Sequence, residues 1–145
     1  MMGRHELREQ VFRLLFRAAF HAPEDMKEQE ELFGEDLPAE DTQKGMDDQS
    51  VAYITERCDK IREKIPEIDD MINENTEGWD TSRMGKVELS VLRLAVYEIK
   101  FDEEIPASVA INEAVEISKK YGQESSGAFV NAILGKVVRS GESKS

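Results

Sequence analysis

Cysteine is nearly absent from this 145-residue chain. Cys58 is the only one, so no internal disulfide can form and nothing in the cysteine count argues for secretion. It stands among apolar residues at helical spacing and reads as a small core thiol. Histidine is almost as scarce. His5 and His21 are the only two, and neither stands in the Glu-x-x-His spacing of a helical carboxylate-bridged metal site. No CxxC, HExxH or glycine-rich phosphate loop occurs. A lone cysteine on a helical core face gives a Cys/His nucleophilic pair no support. The 31 acidic residues offer so many carboxylate pairs that no one pair is informative as an acid/base couple, and solvated acidic faces account for them. The chain is therefore expected to be no enzyme and to need neither metal nor cofactor. No apolar run reaches 18 residues, and no charged start followed by an apolar run opens the chain. A soluble, cytoplasmic protein without membrane contact is expected.

Positive charge is also in short supply. Nineteen Lys and Arg face 31 Asp and Glu, a net charge of −12, which at first sight disfavours nucleic-acid binding. The distribution says more than the total. Residues 1–20 carry four Arg against two Glu, a net of +2. Residues 21–49 carry two Lys against eleven acids, a net of −9. The stretch 50–81 comes to −5 and 82–145 to zero. An acidic protein still binds RNA locally where its Arg and Lys converge on one face.

The apolar periodicity is helical throughout, and no run alternates with period two over strand length. Leu7, Val11, Leu14, Leu15 and Ala18 mark a core face over 4–21. Arg13 and Arg17 lie opposite, Glu9 supports Arg13, and Phe12, Phe16 and Phe20 form an aromatic stripe on the flank. Pro23 breaks this helix. A short acidic helix is predicted over 24–34, packing Met26, Leu32 and Phe33. Gly34, Pro38 and Gly45 among many acids predict a mobile acidic loop over 34–49.

A helix follows from about Asp48 to Lys64, carrying Val51, Ile54, Cys58 and Ile61. Pro66 stops it and opens the next helix, which holds Ile68, Met71 and Ile72 and is expected to end near Gly78. Trp79 reads as an anchor in the connector. The stretch 84–101 is apolar on almost every side, so it is expected to be central, with Glu88, Arg93 and Glu98 needing exits or partners. Pro106 opens a helix that Gly122 caps. Ser125 or Ser126 caps the last helix, whose apolar face runs from Phe129 to Val138. Residues 140–145 are expected to fray.

Three segments within 86–136 carry a resemblance to a known family. Val91-Leu92-Arg93-Leu94-Ala95-Val96-Tyr97-Glu98 resembles the ILRLAxYE helix of the NusB family. Pro106 followed by Val109-Ala110-Ile111-Asn112-Glu113-Ala114-Val115-Glu116 is similar to its PxxVAINEAVEL segment. Phe129-Val130-Asn131-Ala132-Ile133-Leu134 is similar to its FVNGVL segment. The opening Arg4-His5-Glu6-Leu7-Arg8-Glu9 resembles the family's arginine-rich start less specifically, and 22–82 match only in helical character. There are two departures. His5 and Glu6 thin the arginine cluster, and Ala132 and Gly135 replace the Gly and Asp of FVNGVLD.

The resemblance implies an all-α fold, a compact bundle of about seven helices in two helical subdomains, with 1–145 as a single NusB-like domain. It implies a transcription antitermination factor that pairs with the ribosomal protein NusE. Together they would bind boxA-type single-stranded RNA in ribosomal RNA leaders and promote read-through by the RNA polymerase elongation complex with other Nus factors. The free protein is expected as a monomer or a homodimer. A related helical domain occurs fused to ribosomal RNA cytosine methyltransferases, but 145 residues leave no room for one, and the stand-alone factor is expected.

Each candidate residue carries two readings. Arg4 and Arg8, one turn apart, are phosphate contacts aided by the helix N-terminus, or plain solvated charges. His5 aligns with a family Arg and would be charged only part of the time near neutrality. Phe16 is a NusE contact, a base platform or core, and Phe129 is a base platform or core. Asn131 reads a base edge or caps a turn. Lys119 and Lys120 extend a basic track or complement a helix dipole. Glu88 is a candidate NusE contact. Asn112 and Glu113 form a polar network that fixes helix packing. The competing function is a helical protein-interaction adaptor without direct RNA binding, whose acidic 21–49 region docks a basic partner.

Overall fold

The structure, a computed structural model, describes residues 2–20, 47–76 and 80–143. The helix expected over 24–34, Trp79 and all but the end of the loop expected over 34–49 lie outside the described residues; that loop's last residues, Asp48 and Gln49, are already helical. Among the described residues there are six α-helices and no strand, where the resemblance implied about seven helices. The chain divides into two compact units, Met1–Arg62 and Glu63–Ser145.

In the first unit, α1 spans Arg4–Ala18 and α2 spans Asp48–Glu63. Leu7, Val11, Leu14 and Leu15 are buried as their spacing predicts, and so are Ile54, Cys58 and Ile61 on α2. The aromatic stripe is less uniform than expected. Phe12 is fully buried, Phe16 is half-buried and Phe20 is 59% exposed. The three rings pass from core to solvent in contact, with centroids 6.0 Å and then 5.1 Å apart. The start of α1 is tied to the start of α2. Met2 is buried, and its backbone N–H donates to the Ser50 hydroxyl at 3.1 Å. Ser50 in turn donates its N–H to the Asp47 carboxylate at 2.8 Å. That bond holds the Asp47 carboxyl below its usual range; it is the ordinary satisfaction of a free N–H in a helix's first turn.

In the second unit, α3 (Ile65–Glu74) is followed by a 3-10 turn at Thr81–Arg83, then α4 (Lys86–Phe101), α5 (Ala107–Tyr121) and α6 (Ser126–Ser143). Pro66 sits in the first turn of α3, where a missing N–H costs nothing. The helix ends at Glu74, short of Gly78. Asn73 accepts the N–H of Thr81 at 2.9 Å, and Asn75 donates its amide to the Met71 carbonyl at 2.8 Å, so two asparagines close the helix end.

As its all-round apolar pattern predicts, α4 is central, packing on α3, α5 and α6. Val91, Leu92 and Val96 are fully buried, each such side chain contributing roughly 1.5–3 kcal/mol. Arg93 finds its partner on α3, donating to both carboxylate oxygens of Asp69 at 3.0 and 2.8 Å. Among the described residues, no buried side-chain nitrogen or oxygen lacks a hydrogen-bond partner.

Gly122 does end α5, but not through a left-handed backbone. It is extended (φ −102°, ψ −161°) and donates its N–H to the Ser118 carbonyl at 2.8 Å. Space is what requires glycine. A Cβ there would stand 2.8 Å from that carbonyl and 2.6 Å from the Ser126 hydroxyl. Asn112 is exposed with no side-chain hydrogen bond among the described residues, so it does not join the expected packing network. The wide apolar face of α6 carries the helix to Ser143, into the stretch expected to fray.

Candidate nucleic-acid interface

Arg4, His5, Arg8 and Phe16 belong to the first unit; Lys119, Lys120, Phe129, Asn131 and Glu88 belong to the second. At the start of α1, Arg4 and His5 are exposed and Arg8 is half-buried one turn on. The expected help from the helix N-terminus is not free to act. Gly3 is the N-cap, and its N–H already donates to the Glu6 carboxylate at 2.9 Å. This built-in anion offsets the positive end of the helix, so attraction for a phosphate at this end falls to the Arg4 and Arg8 side chains. Half-buried Phe16 shares its ring between the core-facing Phe12 and the exposed Phe20.

In the second unit, Lys119 and Lys120 stand exposed at the end of α5. A Cβ at Gly127 would lie 3.4 Å from Lys119 Cγ, so the lysine stem runs directly beside the first turn of α6. Lys119 also reaches Glu116 at 3.9 Å, an exposed pair that contributes little. Lys120 sits 5.5 Å from the Tyr121 ring centroid.

Phe129 is half-buried on α6, while Asn131 is exposed. Two residues apart on a helix means about 200° apart in direction, so these motif residues do not meet on one face. Glu88 is half-buried, and its charge has an internal partner. The Ser126 hydroxyl donates to Glu88 Oε1 at 2.7 Å and accepts the N–H of Gln123 at 2.9 Å. Sequence reasoning missed this link, because a separation of 38 residues leaves no periodic trace.

Among the described residues, no group of three or more His, Cys, Asp or Glu is placed to hold a metal ion, and no helix is long and apolar enough to cross a membrane.

The model of the NusB family matches residues 5–139. This chain belongs to the NusB family. It is 48% identical to the transcription antitermination protein NusB of Agathobacter rectalis, over 93% of this chain and 98% of that protein. It is 46% identical to the protein of the same name from Lachnoclostridium phytofermentans, over 94% and 99%. Among solved structures, NusB of T. maritima superposes with a TM-score of 0.79 at 36% identity, covering 96% of this chain and 93% of that one. A crystal structure of the antitermination factors NusB and NusE in complex with double-stranded RNA is also similar (TM-score 0.73, 26% identity, 94% and 96% covered). The family match takes in α4, α5 and α6 with all three motif segments.

Proposed function

We propose that this chain is a transcription antitermination factor of the cytoplasm, non-catalytic, that pairs with ribosomal protein NusE and binds boxA-type single-stranded RNA of ribosomal RNA leaders. In that role it would join the RNA polymerase elongation complex with other Nus factors and promote read-through. The observation that carries the reading is the family match over 5–139, which includes all three motif helices. A structural neighbour that holds NusB and NusE together on RNA supports it. We take 1–145 as a single NusB-like domain. Arg4, His5 and Arg8 in the first unit, and Lys119, Lys120, Phe129 and Asn131 in the second, are assigned to RNA. Phe16 and Glu88 are assigned to NusE. The bond from Ser126 leaves Glu88 acceptor capacity, since a carboxylate offers about four lone-pair positions.

Gel-shift titration tests the reading, using boxA RNA, a scrambled RNA and a boxA duplex, each with and without NusE. A preferential shift of single-stranded boxA that needs NusE and weakens steeply with salt is expected. Equal affinity for boxA and scrambled RNA would refute it. Arg8→Ala and Phe129→Ala are each expected to weaken the shift about fivefold, the cost of a lost phosphate or stacking contact of about 1 kcal/mol. Sedimentation of the free chain decides between monomer and homodimer.

A further inference from the structure

From its start to Ser140, α6 carries no negative charge; Glu142 in its last turn lies outside the residues whose side chains are described. From Ser125 to Gly141 there is no acidic residue, the longest such stretch in a chain of net charge −12. Along the solvent side stand Ala128, Ala132, Lys136 and Arg139, all exposed, with Gly135 half-buried among them. At 100° per residue these five fall within one sector of about 100°. Phe129 lies at one edge of that sector and Asn131 at the other, so the two motif residues that cannot share a face instead flank this one.

Lys136 and Arg139 have no ion-pair partner among the described residues. For Arg139 the substitution at 135 supplies the reason. The FVNGVLD motif places Asp there, four residues before Arg139, the spacing at which an acid and a base pair along a helix. This chain has Gly. A Cβ at 135 would stand 3.3 Å from Arg139 Nη1, so the guanidinium lies over bare backbone with no carboxylate beneath it. The alanines and the glycine form a low floor that lets a ligand's own backbone approach closely. They offer no large apolar side chain of the kind that anchors a protein partner. Successive cations over a small-residue floor, edged by an aromatic ring, suit a phosphodiester chain with stacked bases.

We propose that this side of α6 is a phosphate-binding track for single-stranded RNA, with Lys136 and Arg139 on the backbone and Phe129 stacking a base at its edge. The proposal rests on the RNA-binding reading above. It gives the Asp-to-Gly departure at 135 a meaning: the change releases Arg139 for the ligand.

The test is fluorescence anisotropy of labelled single-stranded boxA RNA with the full chain and NusE across a salt series. Lys136→Ala and Arg139→Ala should each weaken binding threefold or more. Each should also flatten the slope of log K against log salt by about 0.7, the value for one lost single-strand phosphate contact. Gly135→Asp should weaken binding at least as much as Arg139→Ala, because its carboxylate both pairs with the guanidinium and repels phosphate. Circular dichroism of each variant checks that the helix is kept. If wild type binds boxA but the double alanine variant keeps its affinity and slope, the track is wrong and the RNA-binding reading stands. If wild type shows no boxA binding at all, both fall. If the variants lose NusE and not RNA, this face is a protein surface and the track is overturned.

Discussion

The ion pair between Arg93 on α4 and Asp69 on α3 invites a quantitative test. Arg93 donates from Nε to Oδ1 at 3.0 Å and from Nη2 to Oδ2 at 2.8 Å, the parallel two-bond geometry that suits a guanidinium and a carboxylate. Both side chains are 18% exposed. Exposed pairs contribute about 0–1 kcal/mol, while stranding one member of a fully buried pair costs about 3–5 kcal/mol. A pair about four-fifths buried belongs between these limits. Asp69→Ala is therefore expected to cost about 2 kcal/mol, because it leaves a guanidinium in a partly dry position. Arg93→Met keeps an apolar stem against α3 and should cost less, about 1 kcal/mol. The double substitution should cost less than the two singles together, with a coupling of about 1.5 kcal/mol. For a chain of this length, 2 kcal/mol lowers the melting temperature by roughly 4–8 °C. Circular dichroism during denaturation reads the loss of the helices that hold the pair. Additivity of the two singles to within about 0.5 kcal/mol would refute the reasoning, since the pair would then be two solvated charges that happen to face each other.

Two further predictions concern helix starts. Ser126→Ala removes the hydroxyl that joins Glu88 to the N–H of Gln123 and should destabilise the second unit by about 1–2 kcal/mol, read by the same circular-dichroism titration. Adding a Cβ at 122 in that background should be less harmful than in the wild type, because the hydroxyl it would strike is gone. At α2, the Asp47 carboxyl is held below the ordinary carboxylate value of 3.8 by the N–H of Ser50 first and the Ser50 side chain second. A depressed folded value means that the charge stabilises the fold fully above the unfolded value and that this gain is lost as pH falls through the folded one. The melting temperature of Asp47→Asn should therefore trail the wild type by a constant margin above about pH 5, and the margin should close below pH 3.8.

Central α4 was legible in the sequence because its pattern is apolar on nearly every side, and a helix with no polar face has one place to go. The core of α1 was legible for the same kind of reason, through the spacing of Leu7, Val11, Leu14 and Leu15. What periodicity cannot carry is partnership across the chain. Arg93 was recognisable as a charge needing a partner, but Asp69 lies 24 residues away, and nothing local singles it out from its acidic neighbours. Glu88 was noticed for the right oddity and assigned outward, while its hydroxyl partner waited 38 residues on. Gly122 was correctly placed as a helix end, but the crowding by Ser118 and Ser126 that requires glycine there left no trace in the sequence. At α1, Glu6 stands between the two arginines read as phosphate contacts, and its carboxylate occupies the end of the helix itself. Among the candidate contacts, side-chain direction was the missing quantity. Phe129 and Asn131 are adjacent in a motif and far apart around a helix.

The bond from Met2 to Ser50 has a consequence for chain length. It sets the starts of α1 and α2 side by side, so the end of α1 lies a helix length from the start of α2. Fifteen residues at 1.5 Å rise make that about 22 Å. A connection between the two helices therefore has a minimum reach, whatever its sequence, of about seven extended residues at 3.3 Å each. This chain places residues 21–46 between them, well above that floor. Removal of 35–46 would leave fourteen residues, still long enough, and would spare the Asp47 cap; a cut two residues longer would take the cap away. The stretch could thus be lengthened or trimmed at little cost, since each doubling of a connection's length costs only about 0.6 kcal/mol, but it could not be dispensed with while both helices begin at the same end.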